Sequence, residues 1–128
     1  MSGDGRRTLR VLCVDDDADI RLLVELSLHL DPDIRAWSLG SVDEAIAALA
    51  GDQRFDVVLL DAMMPGRDGL ELLDHITRAD GSPPTPVIFL TADAIRRSRY
   101  DLPGVVGVIS KPFDPIALAE QVRTLLTR

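Results

Sequence analysis

With 128 residues, the chain has room for one domain and for a core that needs no disulfide or metal staple, but not for two domains. Hydrophobic residues at 46% and charged residues at 27% are ordinary for a globular protein, and no apolar run approaches bilayer length, so neither a membrane-spanning nor a disordered chain is expected. A net charge of −7 argues against nucleic acid as a direct ligand, because binding a phosphate backbone takes a basic patch. Residues 1–8 carry two arginines but no apolar segment or small-residue cleavage site, and read as the flexible tail of a cytoplasmic protein. Cys13 is the single cysteine; it sits inside the apolar run 11–14, where buried packing is its expected role.

Along the chain, apolar runs of strand length alternate with helix-periodic stretches, the pattern of a parallel sheet flanked by helices. Residues 9–14 read as the first strand. Ile20, Leu23, Val24, Leu26, Ser27, Leu28 and Leu30 then supply a broad apolar helix face, with Asp17 or Asp19 as its cap. Residues 34–37 make a weaker second strand. Ser41 and Glu44 form a capping box that opens a helix through Ala45, Ile46, Ala48 and Leu49, closed by Gly51. Residues 55–60 are a continuous apolar strand. Beyond the loop 62–68, in which Asp68-Gly69 makes the turn, a helix points Leu70, Leu72, Leu73 and Ile76 inward.

The prolines 83, 84 and 86 end that unit. The fourth strand is 87–90, a short polar helix covers 94–100, and the fifth strand is 105–109. Arg96, Arg97 and Arg99 read as the solvated face of that short helix. Asp114 as N-cap and Pro115 as first residue announce the last helix, whose apolar face is Ile116, Leu118, Val122, Leu125 and Leu126. Five strands alternating with five helices make a doubly wound α/β fold, which binds its ligand beyond the carboxyl ends of the strands.

The loops at that edge carry Asp15, Asp16 and Asp17 after the first strand, Asp61 after the third, Thr91 after the fourth and Lys111 after the fifth. Carboxylates brought together repel, and the usual resolutions are a raised pKa on one of them or a hard cation with oxygen ligands, for which magnesium or manganese is the natural choice. Such a site, holding a metal by one or two carboxylates, suits phosphoryl chemistry. Lys111 would then be a point charge for a phosphate oxygen, the Thr91 hydroxyl a hydrogen-bond donor to another, and Asp61 the nucleophile that forms an aspartyl phosphate. His29 and His75 have no partner pattern and read as structural histidines.

The segments VLCVDDD, VVLLDAMMPGRDG, VIFLTADA and VISKPFDP resemble, in order and spacing, the successive motifs of response-regulator receiver domains, over residues 9–128. Lys111 is the only lysine in the chain, and it stands where that family's mechanism calls for one. The resemblance implies a flavodoxin-like five-stranded parallel sheet of order 2-1-3-4-5 with helices on both faces, and a cis peptide before Pro112. It implies a switch that takes a phosphoryl group onto Asp61 from a histidine kinase or phosphotransfer protein and so alters binding to a downstream protein. It also implies Mg2+ or Mn2+ held by Asp16 directly, by Asp15 mostly through water, by Asp61 and by the backbone carbonyl of Met63, with Thr91 and Lys111 sensing the phosphoryl group. The protein would promote its own metal-dependent phosphorylation and slow dephosphorylation rather than act as a conventional enzyme.

Three other readings stand beside it. A phosphatase of the haloacid-dehalogenase type would use Asp15 and Asp17, but Asp19 replaces the expected Thr or Val and Asp61 goes unexplained. A flavin module would need a hydroxyl-rich loop where this one is acidic. A constitutive pseudo-receiver would bind partners without phosphorylation, against which the set of Asp16, Asp61, Thr91 and Lys111 speaks. Two departures from the family bear on output. Val108 occupies the position three before the lysine that usually holds an aromatic residue, so no rotating aromatic is expected, and the stretch between Thr91 and Lys111 is short. In addition, Met63 places an apolar side chain where water approaches Asp61, which is expected to slow loss of the phosphoryl group. The loop 63–66 otherwise reads as a mobile connector.

Overall fold

A computed structural model describes residues 8–64, 69–78, 84–92 and 101–127. The described residues form β1 (Leu9–Val14), α1 (Ala18–Leu28), β2 (Ile34–Leu39), α2 (Val42–Ala50), β3 (Val57–Leu60), α3 (Gly69–Thr77), β4 (Val87–Thr91), β5 (Val105–Ser110) and α4 (Leu118–Leu126). The short helix expected at 94–100, with its three arginines, lies outside the described residues, as do residues 1–7 of the expected tail. No described helix is long and apolar enough to cross a membrane.

All strand pairs are parallel, and the sheet order is β2-β1-β3-β4-β5, as expected. Successive side chains of a strand point to opposite faces, so each central strand feeds two separate cores. Val11, Cys13, Val57, Leu59, Ile88 and Leu90 face one side, where Val24 and Leu28 of α1 and Leu118 and Val122 of α4 cover them. Leu12, Val14, Val58, Leu60, Val87 and Phe89 face the other, beneath Val42 and Ala45 of α2 and Leu72, Leu73 and Ile76 of α3. This explains the unbroken apolar runs, which a sheet covered on both faces requires. Cys13 is packed within the first of these cores, as expected.

Helix starts follow local chemistry. Asp17 caps α1 by accepting from the amides of Asp19 and Ile20. Ser41 Oγ accepts the Glu44 amide at 3.1 Å, while Glu44 reaches back one residue further than a capping box requires, to the Gly40 amide at 3.2 Å. The last helix departs from expectation. Asp114 Oδ1 accepts the Ile116 amide and its carbonyl accepts the Ala117 amide, so it closes a separate turn, and α4 begins at Leu118 with no side-chain cap. Ile116, expected on the apolar face, stands on that turn and is exposed.

The apolar stripe of α1 is also narrower than expected. Val24, Ser27 and Leu28 are buried and Ile20 packs partly against the core, but Leu23, Leu26 and Leu30 are exposed. At 3.6 residues per turn Leu23 falls just beside the buried stripe and Leu26 on the far side of the helix, while Leu30 lies beyond the end of α1. Leu70 is likewise exposed at the start of α3. Met64 is buried beside Leu60 and Leu72, so the loop after β3 is anchored at that residue rather than wholly mobile; Pro65 and Gly66 lie outside the described residues. His29 Nε2 accepts the Ala36 amide at 3.2 Å and His75 is exposed in the last turn of α3, consistent with structural roles.

Between α4 and the turn that follows α1, Arg123 Nε donates to Asp31 Oδ2 at 2.7 Å in a largely buried pair. On β5, a Cβ at Gly107 would meet the Leu125 side chain at 2.5–2.7 Å, so the bare backbone lets α4 settle against the strand. Gly107→Ala is expected to destabilise the protein by about 1–3 kcal/mol through overpacking, whereas Gly51→Ala, exposed after α2, should stay within about 0.5 kcal/mol. Urea unfolding of the two variants decides it: equal midpoints would contradict the packing described.

Candidate functional site

Parallel strands all bring their carboxyl ends to one edge. Val14 pairs with Leu60, Leu60 with Phe89, and Thr91 with Ser110, so this edge receives Asp15, Asp61, Thr91 and Lys111 together. The Asp61 amide donates to the Val14 carbonyl at 2.9 Å and the Lys111 amide to the Thr91 carbonyl at 2.9 Å, carrying the sheet ladder up to the site itself. Asp15, Asp61 and Thr91 are all buried.

Lys111 is the centre of the arrangement. Its Nζ donates to Asp15 Oδ2 at 2.7 Å and lies 3.5 Å from Asp61 Oδ2. The other oxygen of each carboxylate is held by a nearby amide: Asp15 Oδ1 accepts from Asp17 N at 2.9 Å, and Asp61 Oδ1 from Met63 N at 3.0 Å. Both carboxylate planes are therefore set by short local contacts, while the ammonium spans the gap between strands. The peptide between Lys111 and Pro112 is cis, as expected from the motif.

Burial pushes the Asp61 carboxyl above its ordinary pKa; the Met63 amide and the Lys111 charge oppose this, and the Asp15 charge adds to it. For Lys111, burial disfavours the ammonium, but the hydrogen bond to Asp15 and the charges of Asp61 and Asp15 outweigh it and its pKa is raised. Cys13, two residues from Asp15, is pushed up to about 12 by burial first and by the Asp15 charge second, so its thiol stays protonated and unreactive at neutral pH.

Asp16 is exposed beside the buried pair, and one carboxylate oxygen from each of Asp15, Asp16 and Asp61 lies within 4.8 Å of the others. An all-oxygen donor set of this span fits a hard divalent cation such as magnesium or manganese. The Asp17 side chain is instead engaged as the cap of α1. The side chain of Met63 is exposed next to Asp61, and Val108, paired with Phe89 across β4 and β5, packs partly against the core with no ring to rotate.

Two supports of the site are not evident in the sequence. A Cβ at Gly69 would lie 2.6 Å from the Asp61 carbonyl oxygen and 3.1 Å from the Ala62 Cα, so glycine is what lets the start of α3 close against the peptide that carries Asp61. Asp-Gly signalled a turn there but not this contact. Arg21, on α1, donates from Nη1 to the Asp15 carbonyl at 2.7 Å. In the sequence it is only a basic residue in an apolar helix.

Residues 11–123 match the family described as the response regulator receiver domain. The chain is 35% identical over 127 residues to the transcriptional regulatory protein ResD of Bacillus subtilis (strain 168), covering 98% of this chain and 51% of that protein. It is 30% identical over 120 residues to the phosphate regulon transcriptional regulatory protein PhoB of Pseudomonas aeruginosa, covering 92% and 52%. The chain thus spans about half the length of these curated relatives. Among solved structures, the chemotaxis response regulator CheY4 of Vibrio cholerae matches with a TM-score of 0.80 at 28% identity, covering 92% of this chain and 98% of that one. The Francisella response regulator 1452 receiver domain matches with a TM-score of 0.78 at 27% identity, covering 94% and 98%.

The raised Asp61 pKa carries a sign that can be tested. The folded protein holds the Asp61 proton to higher pH than the unfolded chain does, so stability falls as pH rises through that interval. Asp61→Asn removes this loss. In a chelator at pH 7 the variant should unfold a few degrees above the parent, with the difference shrinking as pH is lowered through the Asp61 titration. A lower melting temperature for the variant at pH 7 would reverse the assignment.

Proposed function

Because the chain belongs to the response-regulator receiver family, we propose that it is a phosphoacceptor switch of a two-component or phosphorelay system, in which Asp61 takes a phosphoryl group from the phosphohistidine of a kinase or phosphotransfer protein in the cytoplasm. The observation that carries this reading is the Lys111 ammonium, set 2.7 Å from Asp15 and 3.5 Å from Asp61 at the ligand-binding edge of the sheet.

In the transfer, a carboxylate oxygen of Asp61 forms a bond to phosphorus as the P–N bond to the donor imidazole breaks; the bonding pair leaves with the imidazole, which takes up a proton. The Met63 amide, holding Oδ1, keeps the Asp61 carboxylate from rotating away. Lys111 serves a phosphoryl oxygen as a compact charge, and Thr91, at the end of the neighbouring strand, offers its hydroxyl to another. Mg2+ or Mn2+, held by Asp15, Asp16, Asp61 and the Met63 carbonyl, would offset the carboxylate charges and the charge on the phosphoryl oxygens. The new charge redistributes the contacts of Lys111 and Thr91, and through them alters the surface offered to a downstream protein. The exposed Met63 side chain, beside Asp61, hinders water and slows hydrolysis of the acyl phosphate.

Intact mass after incubation with acetyl phosphate tests this. A gain of one phosphoryl group is expected with magnesium, none without it, and none in Asp61→Asn. No gain in the parent protein would favour a binding module that works without phosphorylation. After removal of the donor, the added mass should persist; its prompt disappearance would sink the role given to Met63.

A further inference from the structure

Asp15 has all four of its polar positions engaged. Its amide donates to the Leu39 carbonyl at 3.1 Å, Oδ1 and Oδ2 accept from Asp17 N and Lys111 Nζ, and its carbonyl accepts from Arg21 Nη1 at 2.7 Å. The last contact has a particular consequence, because that carbonyl belongs to the peptide joining Asp15 to Asp16. Its orientation sets the plane of the peptide and so the direction in which the Asp16 backbone and side chain leave the strand.

The guanidinium that makes this contact has a seat. A Cβ built on Gly40, in the turn after β2, would lie 3.0 Å from Arg21 Nη1, 3.4 Å from Cζ and 3.7 Å from Nη2. Arg21 therefore rests directly on the bare Gly40 backbone, and Gly40 is itself tied to α2 by its amide, which donates to Glu44 Oε2 at 3.2 Å. A planar guanidinium pressed against backbone has little freedom to swing, which makes its hydrogen bond directional.

We propose that Arg21, seated on Gly40, is a positioning residue that holds the Asp15–Asp16 peptide in the orientation from which these two carboxylates bind a divalent cation. The inference rests on the metal site assigned under the proposed function. It has an unusual sign, which separates it from plain electrostatics. Arg21 is a cation near a cluster of carboxylates, so removing its charge by itself would strengthen the binding of another cation. Loss of positioning does the reverse, and supports that orient metal ligands typically contribute about 10-fold or more to affinity.

The test is calorimetric titration of the full chain with Mg2+, without any phosphodonor. Arg21→Ala is expected to raise the dissociation constant for Mg2+ about tenfold. Gly40→Ala keeps every charge and pushes only the tip of Arg21 aside, and should raise the constant in the same direction. In the Arg21→Ala background, Gly40→Ala should add nothing, because its effect passes through the displaced guanidinium. Unchanged or tighter binding by Arg21→Ala overturns the proposal, as does an effect of Gly40→Ala that persists without Arg21. Should Arg21→Ala fail to fold, Gly40→Ala alone decides: unchanged affinity overturns the proposal and weaker binding upholds it. A parent protein that binds no Mg2+ would instead overturn the metal site on which the inference rests.

Discussion

Two carboxylates placed side by side at the end of a parallel sheet repel each other, and burial makes both charges more costly than they would be in water. The Lys111 ammonium, between Asp15 and Asp61, makes their closeness tolerable. The pairing works in both directions. The two acids raise the pKa of the lysine against the effect of its own burial, and the lysine restrains the rise at Asp61. The result is a small pool of compensating charge at the one edge of the molecule where strands of different origin end together. It is poised to rearrange whenever another cation or anion enters.

The rest of the architecture keeps that pool in register. Each central strand is buried on both faces, so sliding by one residue would move its whole apolar set to the wrong core. The two cores thus lock the strands along their length, and the residues at their carboxyl ends inherit that precision. Close approaches complete the lock. Gly69 brings α3 against the Asp61 peptide, Gly107 brings α4 against β5, and the buried Asp31–Arg123 pair ties the turn after α1 to α4. Rigid elements of this kind suit the proposed phosphoryl transfer, since such sites act chiefly by positioning and electrostatics.

Against that rigid frame, the Asp15–Asp16 loop is held by contacts of different kinds. The Asp15 side chain meets the Lys111 charge, whereas its backbone is fixed by the Leu39 carbonyl and the Arg21 guanidinium. Separating the two tasks allows the side-chain contacts to change while the peptide that aims them stays put. The same division is present at Asp61, whose Oδ1 is held by a local amide while Oδ2 faces the lysine.

For the described residues, sequence alone determined which elements form, their alternation and the edge to which the acidic residues, Thr91 and Lys111 belong, because those properties follow from periodicity, turn residues and a few short motifs. Helix caps at Asp17 and Ser41 were legible for the same reason: their partners lie two or three residues away. Tertiary structure alone decided what depends on groups distant in the chain. Lys111 and Asp15 are 96 residues apart, and no local pattern records that the lysine rests nearer Asp15 than Asp61. Nor does any pattern show that Arg21 turns inward to a carbonyl, that Gly40 seats its guanidinium, that Gly69 is demanded by contact with the Asp61 backbone rather than by turn geometry alone, or that only one stripe of the leucine-rich α1 is covered. Those outcomes follow from how the helices and loops come to rest on the sheet, which is a matter of shape fitting between segments rather than of the composition of any one of them.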